Sequence, residues 1–306
     1  MLITSPEGKT ALYDGGRSEN RLKALLNQYN VTSLDLLAAS HADADHITGL
    51  IAAASLRPRF FLSNGIAGTT QTFAKLTSTL KGAGTAGLVA SDRNLNLGSV
   101  RLRVLPPPPG MPRGEQNLNS VGLLIEYGKF RALMTGDSET AETKAWLGTY
   151  PASLLGPIDV YKSIHHGAKN GDNAAWLAAV RPKNVVVSVG PNNYGHPTSE
   201  ALALYQKVGA SIFRTDLNGT VTITVKQDGS FTIGAEKGIG TQGDQRDVPA
   251  SPSVTAAPPR LALPSGSVPY PNCAAARAAG AAPLYRGQPG YAPKLDRDGD
   301  GVACEQ

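Results

Sequence analysis

Short apolar runs alternate with segments of helical apolar spacing over roughly the first 235 residues of the chain. The apolar runs that predict strands include SLDLLAAS, VRLRVL, VGLLIEYG, FRALMTG and IDVYKSI. Leucines three and four residues apart, as at Leu22 and Leu26, predict the helices between them. Helices are predicted over about Ser18–Tyr29, Ile47–Ser55, Thr70–Leu80, Asn173–Val180 and Ser199–Val208, with another beginning at Ser138. This alternation predicts a layered α/β fold.

All five histidines lie in three short segments, which read SHADADH, SIHHGAKN and NNYGHPTSE. Each segment follows a predicted strand, and α/β sheets commonly place their ligand sites at the carboxyl ends of strands. The clustering therefore predicts one functional site, built from residues distant in sequence. The histidines are His41, His46, His165, His166 and His196.

The segment from His41 to His46 brings two imidazoles and two carboxylates together in a very short stretch. Without a cation Asp43 and Asp45 would repel each other, whereas divalent ions turn that repulsion into ligation. Asp137 ends another apolar strand, in LMTGD. Helix capping is the alternative for Asp45 or Asp137 taken singly, because aspartate is a good N-cap. The whole set is better explained by a two-metal hydrolytic site.

The C-terminal part has a different composition. Residues 237–268 are rich in Pro, Gly, Ser and Ala without hydrophobic periodicity, which predicts a linker between domains at 1–236 and 269–306. The second domain holds both cysteines, Cys273 and Cys304. A module of about 35 residues lacks a sufficient core, so a disulfide and a bound ion are expected to stabilise it. The alternative is an acidic, solvated tail with two reduced thiols.

Carboxylates near the C-terminus have the spacing of a calcium loop. Oxygen ligands fall at positions 1, 3 and 5 with glycine at 6, as in an EF-hand loop, and a later glutamate stands in for the missing acid at position 12. The candidate calcium ligands are Asp296, Asp298, Asp300 and Glu305.

Composition excludes some classes of protein and leaves others open. Hydrophobic residues make up 41% of the chain, and no apolar run of about 18 residues predicts a transmembrane helix. The net charge of +5 lies in the first domain and linker, since residues 272–306 are neutral overall. That charge suits an anionic substrate but is also common in other proteins. No signal peptide is visible, and the expectation is either a true start upstream of Met1 or a trimmed N-terminus.

Taken in order, several motifs resemble one family. They are LYDGG, SHADADH, Asn119-Ser120, TGD, SIHHGAKN and SVGPNNYGHP. Together they resemble the metallo-β-lactamase fold, and most closely the nuclease-like domain of the ComEC family of competence DNA-uptake proteins, over about residues 1–235. The resemblance implies an αββα sandwich. The C-terminal segments NCAAARAAG and DRDGDGVACE resemble the excalibur domain, an extracellular calcium-binding module.

The resemblance also implies roles for individual residues. Asp137 would bridge two metals, with His41 and Asp43 on the first, and Asp45, His46 and His165 on the second. His166 and His196 remain for phosphate binding or leaving-group protonation. The residues predicted to act in catalysis are Asp45, Asp137, His166 and His196. Those predicted to contact the substrate are Asn119, Ser120 and Lys169, although a solvated Lys169 is the alternative.

The predicted ligand set departs from the commonest pattern of the fold. Asp43 replaces the usual second histidine, and Asn119 or Ser120 lies where a third histidine would be. Such oxygen-rich ligation favours Mn²⁺, with Zn²⁺ or Mg²⁺ as alternatives.

These observations predict an extracytoplasmic, metal-dependent nuclease or phosphodiesterase that acts on DNA and carries Ca²⁺ in its C-terminal module. A cell-envelope or surface component is a further expected partner, through that module. Hydrolysis of another ester or a lactam is the first alternative. The second is an inactive, calcium-dependent surface-binding protein.

Overall fold

The computed structural model describes residues 1–238 and, after them, 270–278, 282, 284–285, 290–296 and 302–304. The chain divides into two compact units, Met1–Gly240 and Thr241–Gln306. The predicted linker lies almost wholly outside the described residues, as do Asp298, Asp300 and Glu305. In the described part of the chain, no helix combines the length and apolar character needed to cross a membrane.

The first unit begins with a five-stranded sheet in the order β1-β2-β3-β4-β5. Strands β1 and β2 are antiparallel, whereas β2 to β5 run parallel to one another. The strands are β1 Leu2–Thr4, β2 Thr10–Tyr13, β3 Leu36–Ala38, β4 Phe60–Ser63 and β5 Ala86–Val89. The helices that connect the parallel strands are α1 Glu19–Gln28, α2 Ala44–Ala54 and α3 Gln71–Gly82.

The second sheet has seven strands in the order β12-β11-β10-β9-β8-β7-β6. Strands β6 to β9 form an antiparallel meander, and β9 to β12 are parallel. The strands are β6 Arg93–Leu97, β7 Val100–Leu105, β8 Gly122–Tyr127, β9 Phe130–Met134, β10 Ile158–Lys162, β11 Pro182–Val187 and β12 Ser211–Arg214. The helices are α4 Thr140–Thr149, α5 Ala152–Leu155, α6 Ala174–Val180, α7 Ser199–Lys207 and α8 Thr215–Asn218. A hairpin of β13 Val221–Val225 and β14 Phe231–Ala235 follows.

Three apolar clusters join these elements into four layers. Strand β3 shows why, because its side chains alternate between faces. Leu36 and Ala38 pack between the two sheets, whereas Leu37 packs under α1, α2 and α3. On the other side, Trp146 and Trp176 pack α4 and α6 against the second sheet. The predicted αββα sandwich is therefore confirmed.

Polar side chains set the starts of several helices. The side chains of Ser18, Thr70, Asn173 and Thr198 accept hydrogen bonds from backbone N–H groups in the first turns. The predicted boundaries of α2 and α4 are wrong by a few residues. Helix α2 begins at Ala44, before the predicted Ile47, and α4 begins at Thr140, after the predicted Ser138. The first shift puts Asp45 and His46 inside a helical turn.

The second unit contains α9 Cys273–Ala278 and the antiparallel strands β15 Leu284–Tyr285 and β16 Val302–Ala303. Cys273 and Cys304 form a disulfide across 31 positions of sequence. Asp296 is buried, and its Oδ2 accepts a 2.5 Å hydrogen bond from the Tyr291 hydroxyl.

Candidate metal centre

The carboxyl ends of strands from both sheets meet at one end of the sandwich. The segment after β3 contributes His41 and His46, and the segment after β9 contributes Asp137. The segment after β10 contributes the two histidines of the HHG motif, His165 and His166. Ligand atoms of His41, His46 and Asp137 all lie within 4.8 Å of one another, and so do those of Asp45, His46 and His166. His46 belongs to both groups, so the two form one continuous centre.

Asp14 fixes the orientation of His46. Its Oδ1 accepts a 2.8 Å hydrogen bond from Ser40 N, and its Oδ2 lies 2.9 Å from both Ser40 Oγ and His46 Nδ1. This partner holds the ring with Nε2 turned toward Asp137, as outer-shell carboxylates do for metal-ligating histidines. Burial alone would raise the pKa of Asp14, but the charge and hydrogen bond of His46 lower it to about 2.

Two glycines bring the Asp14 loop against α2. Gly15 N donates to His46 O at 2.7 Å, and a Cβ on Gly49 would lie 2.0 Å from Gly15 O. Only residues without side chains allow this approach. The sequence prediction of the site omitted Asp14, although its place after β2 in LYDGG repeats the pattern of polar residues at strand ends.

Asp137 lies at the middle of the centre and is 3% exposed. Its Oδ2 is 3.1 Å from His46 Nε2, and 3.6 Å from the Nε2 atoms of His165 and His166. Burial opposes ionisation, but the charges of His46, His166 and Lys162 act against it and together hold the pKa of Asp137 well below its ordinary range. Asp137 is not the N-cap of α4, a position that Glu139 occupies, so capping does not explain it.

Several buried nitrogen and oxygen atoms in this centre have no hydrogen-bond partner among the described residues. Among them are His41 Nε2, His46 Nε2 and Asp137 Oδ1. Burying an unpaired polar atom costs about 1–3 kcal/mol, so such atoms require an explanation. Nitrogen and oxygen atoms that converge at such distances without well-aligned hydrogen bonds are suited to a shared cation. The side chains present therefore fit bound divalent metal.

The HHG segment has an uncommon backbone conformation. His165 and His166 have φ values of 48° and 56°, in the left-handed region. Residues other than glycine avoid this region at a cost of about 1–3 kcal/mol. It directs both Nε2 atoms toward Asp137, and the Nδ1 atom of His166 lies 2.6 Å from Ser188 O. Burial, reinforced by the charge of Lys162, lowers the pKa of His166 to about 4.

The geometry extends the predicted roles of these histidines. The prediction put His165 among the metal ligands and His166 outside them. In the structure His166 shares a group of possible ligand atoms with Asp45 and His46, while His165 Nε2 lies near Asp137. Both imidazoles are therefore candidates for the second metal.

Asp43 and Asp45 lie at the start of α2. Asp43 occupies the N-cap position without a side-chain capping bond, and its Oδ2 is 3.5 Å from His41 Nε2. The nearby His41 lowers the pKa of Asp43. Asp45 lies in the first turn, where its Oδ2 is 3.9 Å from Arg17 Nη2. Asp43 rather than Asp45 thus occupies the N-cap position, so capping does not explain Asp45.

The predicted substrate-binding residues lie in different surroundings. Asn119 is buried, and its Nδ2 donates to Pro112 O and Glu115 O at 2.8 Å each. Ser120 Oγ donates to Asn117 O. The Asn119 amide and the Ser120 hydroxyl therefore use these hydrogen bonds to hold the loop before β8. Lys169 is on the surface, where its Nζ lies 3.8 Å from Glu200.

Ser120 nevertheless touches the centre, since its Oγ accepts a 3.3 Å hydrogen bond from Asp137 N. The side chain of His196 also borders the centre, with its ring centroid 5.8 Å from that of His165. Burial and the charge of His165 lower the pKa of His196.

Lys162 is a site residue that sequence reasoning missed. It ends β10 on the same face as Val160, which packs between the sheets. The side chain is half-buried, and its Nζ donates to Ser163 O at 3.3 Å. Its charge lowers the pKa of both Asp137 and His166. The alternation of side chains along β10 puts Lys162 on the face of Val160. Only the structure shows that this face of the strand lies between the two sheets.

Asp172 forms the centre of a buried polar network behind the HHG segment. Its carboxylate accepts hydrogen bonds from Tyr161 Oη at 2.7 Å, Tyr205 Oη at 2.6 Å and Ile164 N at 3.0 Å. Trp176 Nε1 extends the network to Tyr161 Oη. Since Ile164 directly precedes the two histidines, the network anchors their backbone.

Comparison with known proteins agrees with this geometry. The chain is 27% identical over 223 residues to ComE operon protein 3 of Bacillus subtilis, which covers 70% of this chain and 28% of that protein. It is 26% identical over 229 residues to Recombination protein 2 of Haemophilus influenzae, covering 72% of this chain and 27% of that protein. Competence protein ComA of Neisseria gonorrhoeae is 27% identical to the chain over 205 residues. The match covers 67% of this chain and 27% of that protein. The chain thus spans less than a third of the length of each.

Two family descriptions match separate parts of the chain. Residues 270–305 match the Excalibur calcium-binding domain, as the C-terminal motifs predict. Residues 12–188, more than half of the chain, match the Beta-lactamase superfamily domain. The matched range contains the strands that carry Asp14, His41, Asp137 and the HHG segment, and the chain belongs to the β-lactamase superfamily of metallo-β-lactamase-fold hydrolases.

Proposed function

We propose that the first unit is a metal-dependent phosphodiesterase that cleaves DNA outside the cytoplasm. The observation that carries the proposal is the group of buried, unpartnered donor atoms on His41, His46 and Asp137. The similarity to competence proteins supports DNA as the substrate. The Excalibur match supports a location where calcium is plentiful and disulfides persist.

His41 and Asp43 would hold one divalent metal, and Asp45, His46 and the HHG imidazoles a second, with Asp137 between them. When bound, two such ions supply Lewis acidity toward a phosphoryl group and a water of lowered pKa. Asp14 keeps His46 in the orientation that exposes Nε2. The low pKa of Asp137 keeps its carboxylate ionised and ready to ligate.

Other residues around the centre would act on the phosphate itself. The half-buried cation of Lys162 favours an anionic group at this end of the sandwich. His196 lies beyond His165, at the outer side of the centre. There its neutral imidazole would donate a hydrogen bond to the phosphate.

Mn²⁺ is the proposed activating ion. Three carboxylates, those of Asp43, Asp45 and Asp137, stand beside four imidazoles in the candidate set. This share of hard oxygen ligands suits Mn²⁺ or Mg²⁺ better than a three-histidine site would. The metal-stripped protein reconstituted with each ion separately tests this. Activity with Zn²⁺ alone would contradict the preference for Mn²⁺.

The test of the function compares four substrates on the full chain after chelation and reconstitution. They are plasmid DNA, single-stranded DNA, bis-p-nitrophenyl phosphate and a cephalosporin. We expect phosphodiester cleavage that Asp45→Ala lowers more than about 100-fold, because even an outer-shell change costs 10–100-fold. Asp228→Ala, on the exposed turn between β13 and β14, is the matched control and should retain wild-type rates.

Absence of phosphodiester cleavage with every metal would refute the proposal. Hydrolysis of the cephalosporin in its place would establish the lactam alternative. Binding to cell surfaces without any hydrolysis would support the inactive, calcium-dependent alternative, against which the convergent donor set argues.

We further propose that the C-terminal unit binds Ca²⁺ through Asp296 and the other predicted acids, and that it contacts a component of the cell envelope. The disulfide between Cys273 and Cys304 and the buried position of Asp296 support this proposal. Calcium titration followed by calorimetry, with the Asp296→Ala variant alongside, tests the ion.

A further inference from the structure

Tyr194 is an aromatic side chain left in solvent beside the metal centre. It is 71% exposed, more than any other large hydrophobic residue in the described part of the chain. Single exposed apolar residues are ordinary on protein surfaces. The setting of Tyr194 is unusual, because hydrogen bonds to the Asn192 side chain hold the loop on both sides of it.

The loop that carries Tyr194 is held by one side chain. Asn192 Oδ1 accepts hydrogen bonds from Tyr194 N at 3.1 Å and from His196 N at 3.0 Å. Its Nδ2 donates to Gly190 O at 3.0 Å and to His196 O at 2.8 Å. The loop then returns to the HHG segment, where Thr198 N donates to Gly167 O at 2.9 Å. The exposed ring is therefore presented by an ordered scaffold.

Ring contacts connect Tyr194 to the metal centre. Its ring stacks on His196, with centroids 5.8 Å apart and planes 30° apart. His196 in turn lies 5.8 Å from His165, whose Nε2 is 3.6 Å from Asp137 Oδ2. Asp137, His165, His196 and Tyr194 thus lie in a row, with Tyr194 outermost. Most of the Tyr194 side chain remains exposed and can contact a ligand.

We propose that Tyr194 stacks on an unpaired nucleobase next to the phosphate that is cleaved. The inference rests on the proposed function and assigns it a specificity-determining residue. An aromatic face accepts any base, so the contact is sequence-tolerant. Inside a duplex, both faces of a base are covered by its neighbours, so the platform selects a single strand or a splayed end.

The magnitude follows from measured base–aromatic stacking. Alanine substitution of stacking residues costs about 1–3 kcal/mol per base, equivalent to about 5- to 150-fold. We expect Tyr194→Ala to lower kcat/KM on a single-stranded oligonucleotide within that range, whereas Tyr194→Trp retains activity. Tyr29→Ala is the matched control, since Tyr29 is 44% exposed at the end of α1 and should have no effect.

The deciding substrate is the same oligonucleotide with abasic positions around the cleavage site. Wild type and Tyr194→Ala should cleave it at equal rates, and the variant should also lose the preference for single over double strands. Anisotropy of the labelled oligonucleotides in EDTA should show the same loss of affinity for the strand with bases and no change for the abasic strand.

Two results would overturn the inference while leaving the proposed function intact. One is wild-type activity in Tyr194→Ala on the normal strand, and the other is an equal loss on normal and abasic strands, which indicates a disturbed loop. Absence of DNA cleavage by the wild type would instead refute the proposed function itself.

Discussion

Glu142 carries a buried carboxyl group that the described surroundings do not neutralise with a positive charge. It is 0% exposed in the first turn of α4, where Ser120 N donates to its Oε2 at 3.3 Å. Its Oε1 has no hydrogen-bond partner among the described residues. Burial raises the pKa of Glu142 from its ordinary 4.5 to about 9, despite the opposing hydrogen bond from Ser120. The group is therefore protonated in the folded protein at neutral pH.

This shift makes folding stability depend on pH with a definite sign. Above pH 4.5 the unfolded chain releases the proton that the folded chain keeps, so stability falls until the folded pKa of about 9 is reached. One pH unit corresponds to about 1.4 kcal/mol, so the loss at pH 7 is about 3 kcal/mol. Glu142→Gln has nothing to ionise and resembles the protonated acid in shape. We expect it to gain about 3 kcal/mol over the wild type between pH 4.5 and pH 7.

Urea unfolding of the metal-free protein, followed by tryptophan fluorescence from pH 4.5 to pH 7, measures this gain. Removing metal excludes coupling to a bound cation. Glu115→Gln, at an exposed position, is the matched control, and a surface change of this kind should alter the free energy of unfolding by less than about 0.5 kcal/mol. A flat difference for Glu142→Gln would refute the assignment of a buried, protonated acid.

Two further predictions concern residues that surround the metal centre. Asp172→Ala leaves three buried donors unpaired at about 1–3 kcal/mol each, so we expect a loss of at least about 3 kcal/mol in the free energy of unfolding and weaker Mn²⁺ binding by calorimetry. Leu177→Ala is the control, a core change in α6 without polar partners. It should lower the free energy of unfolding by about 2–5 kcal/mol but retain Mn²⁺ affinity. Equal weakening of Mn²⁺ binding in both variants would refute the anchoring of the HHG segment by Asp172. Lys162→Met should lower kcat/KM on DNA about 10-fold while metal content, measured by mass spectrometry, stays at the wild-type level. Wild-type turnover in that variant would remove Lys162 from the substrate-binding groups.

Much of the fold follows from local signals in the chain. The periodicity of Leu22 and Leu26 correctly predicts α1, because the pattern reports which face of one element is buried. The helix boundaries near Asp45 and Ser138 were less predictable, since the N-cap residues Asp43 and Glu139 make no side-chain capping bond that would mark the start. The edge strand β6 was missed because its sequence, RNLNL, has only two apolar residues, and three of its five residues are exposed.

The residues of the candidate site also divide into those that the sequence could predict and those that it could not. His41, His46, Asp137 and the HHG segment could be found because rare polar residues at strand ends stand out in a sequence. Asp14 and Glu142 could not be assigned roles. Their partners are 32 and 22 positions away, and nothing local indicates which side chain will meet them.

By itself, then, the sequence determined the kinds of elements, their order and the set of donor atoms at their carboxyl ends. These properties depend on short-range periodicity and on the chemistry of single residues. Only the tertiary structure decided which donors converge, how Asp14 orients His46, and that Tyr194 presents an open ring beyond His196. Those relations depend on how two sheets pack face to face, and close packing of apolar side chains distant in sequence sets that arrangement.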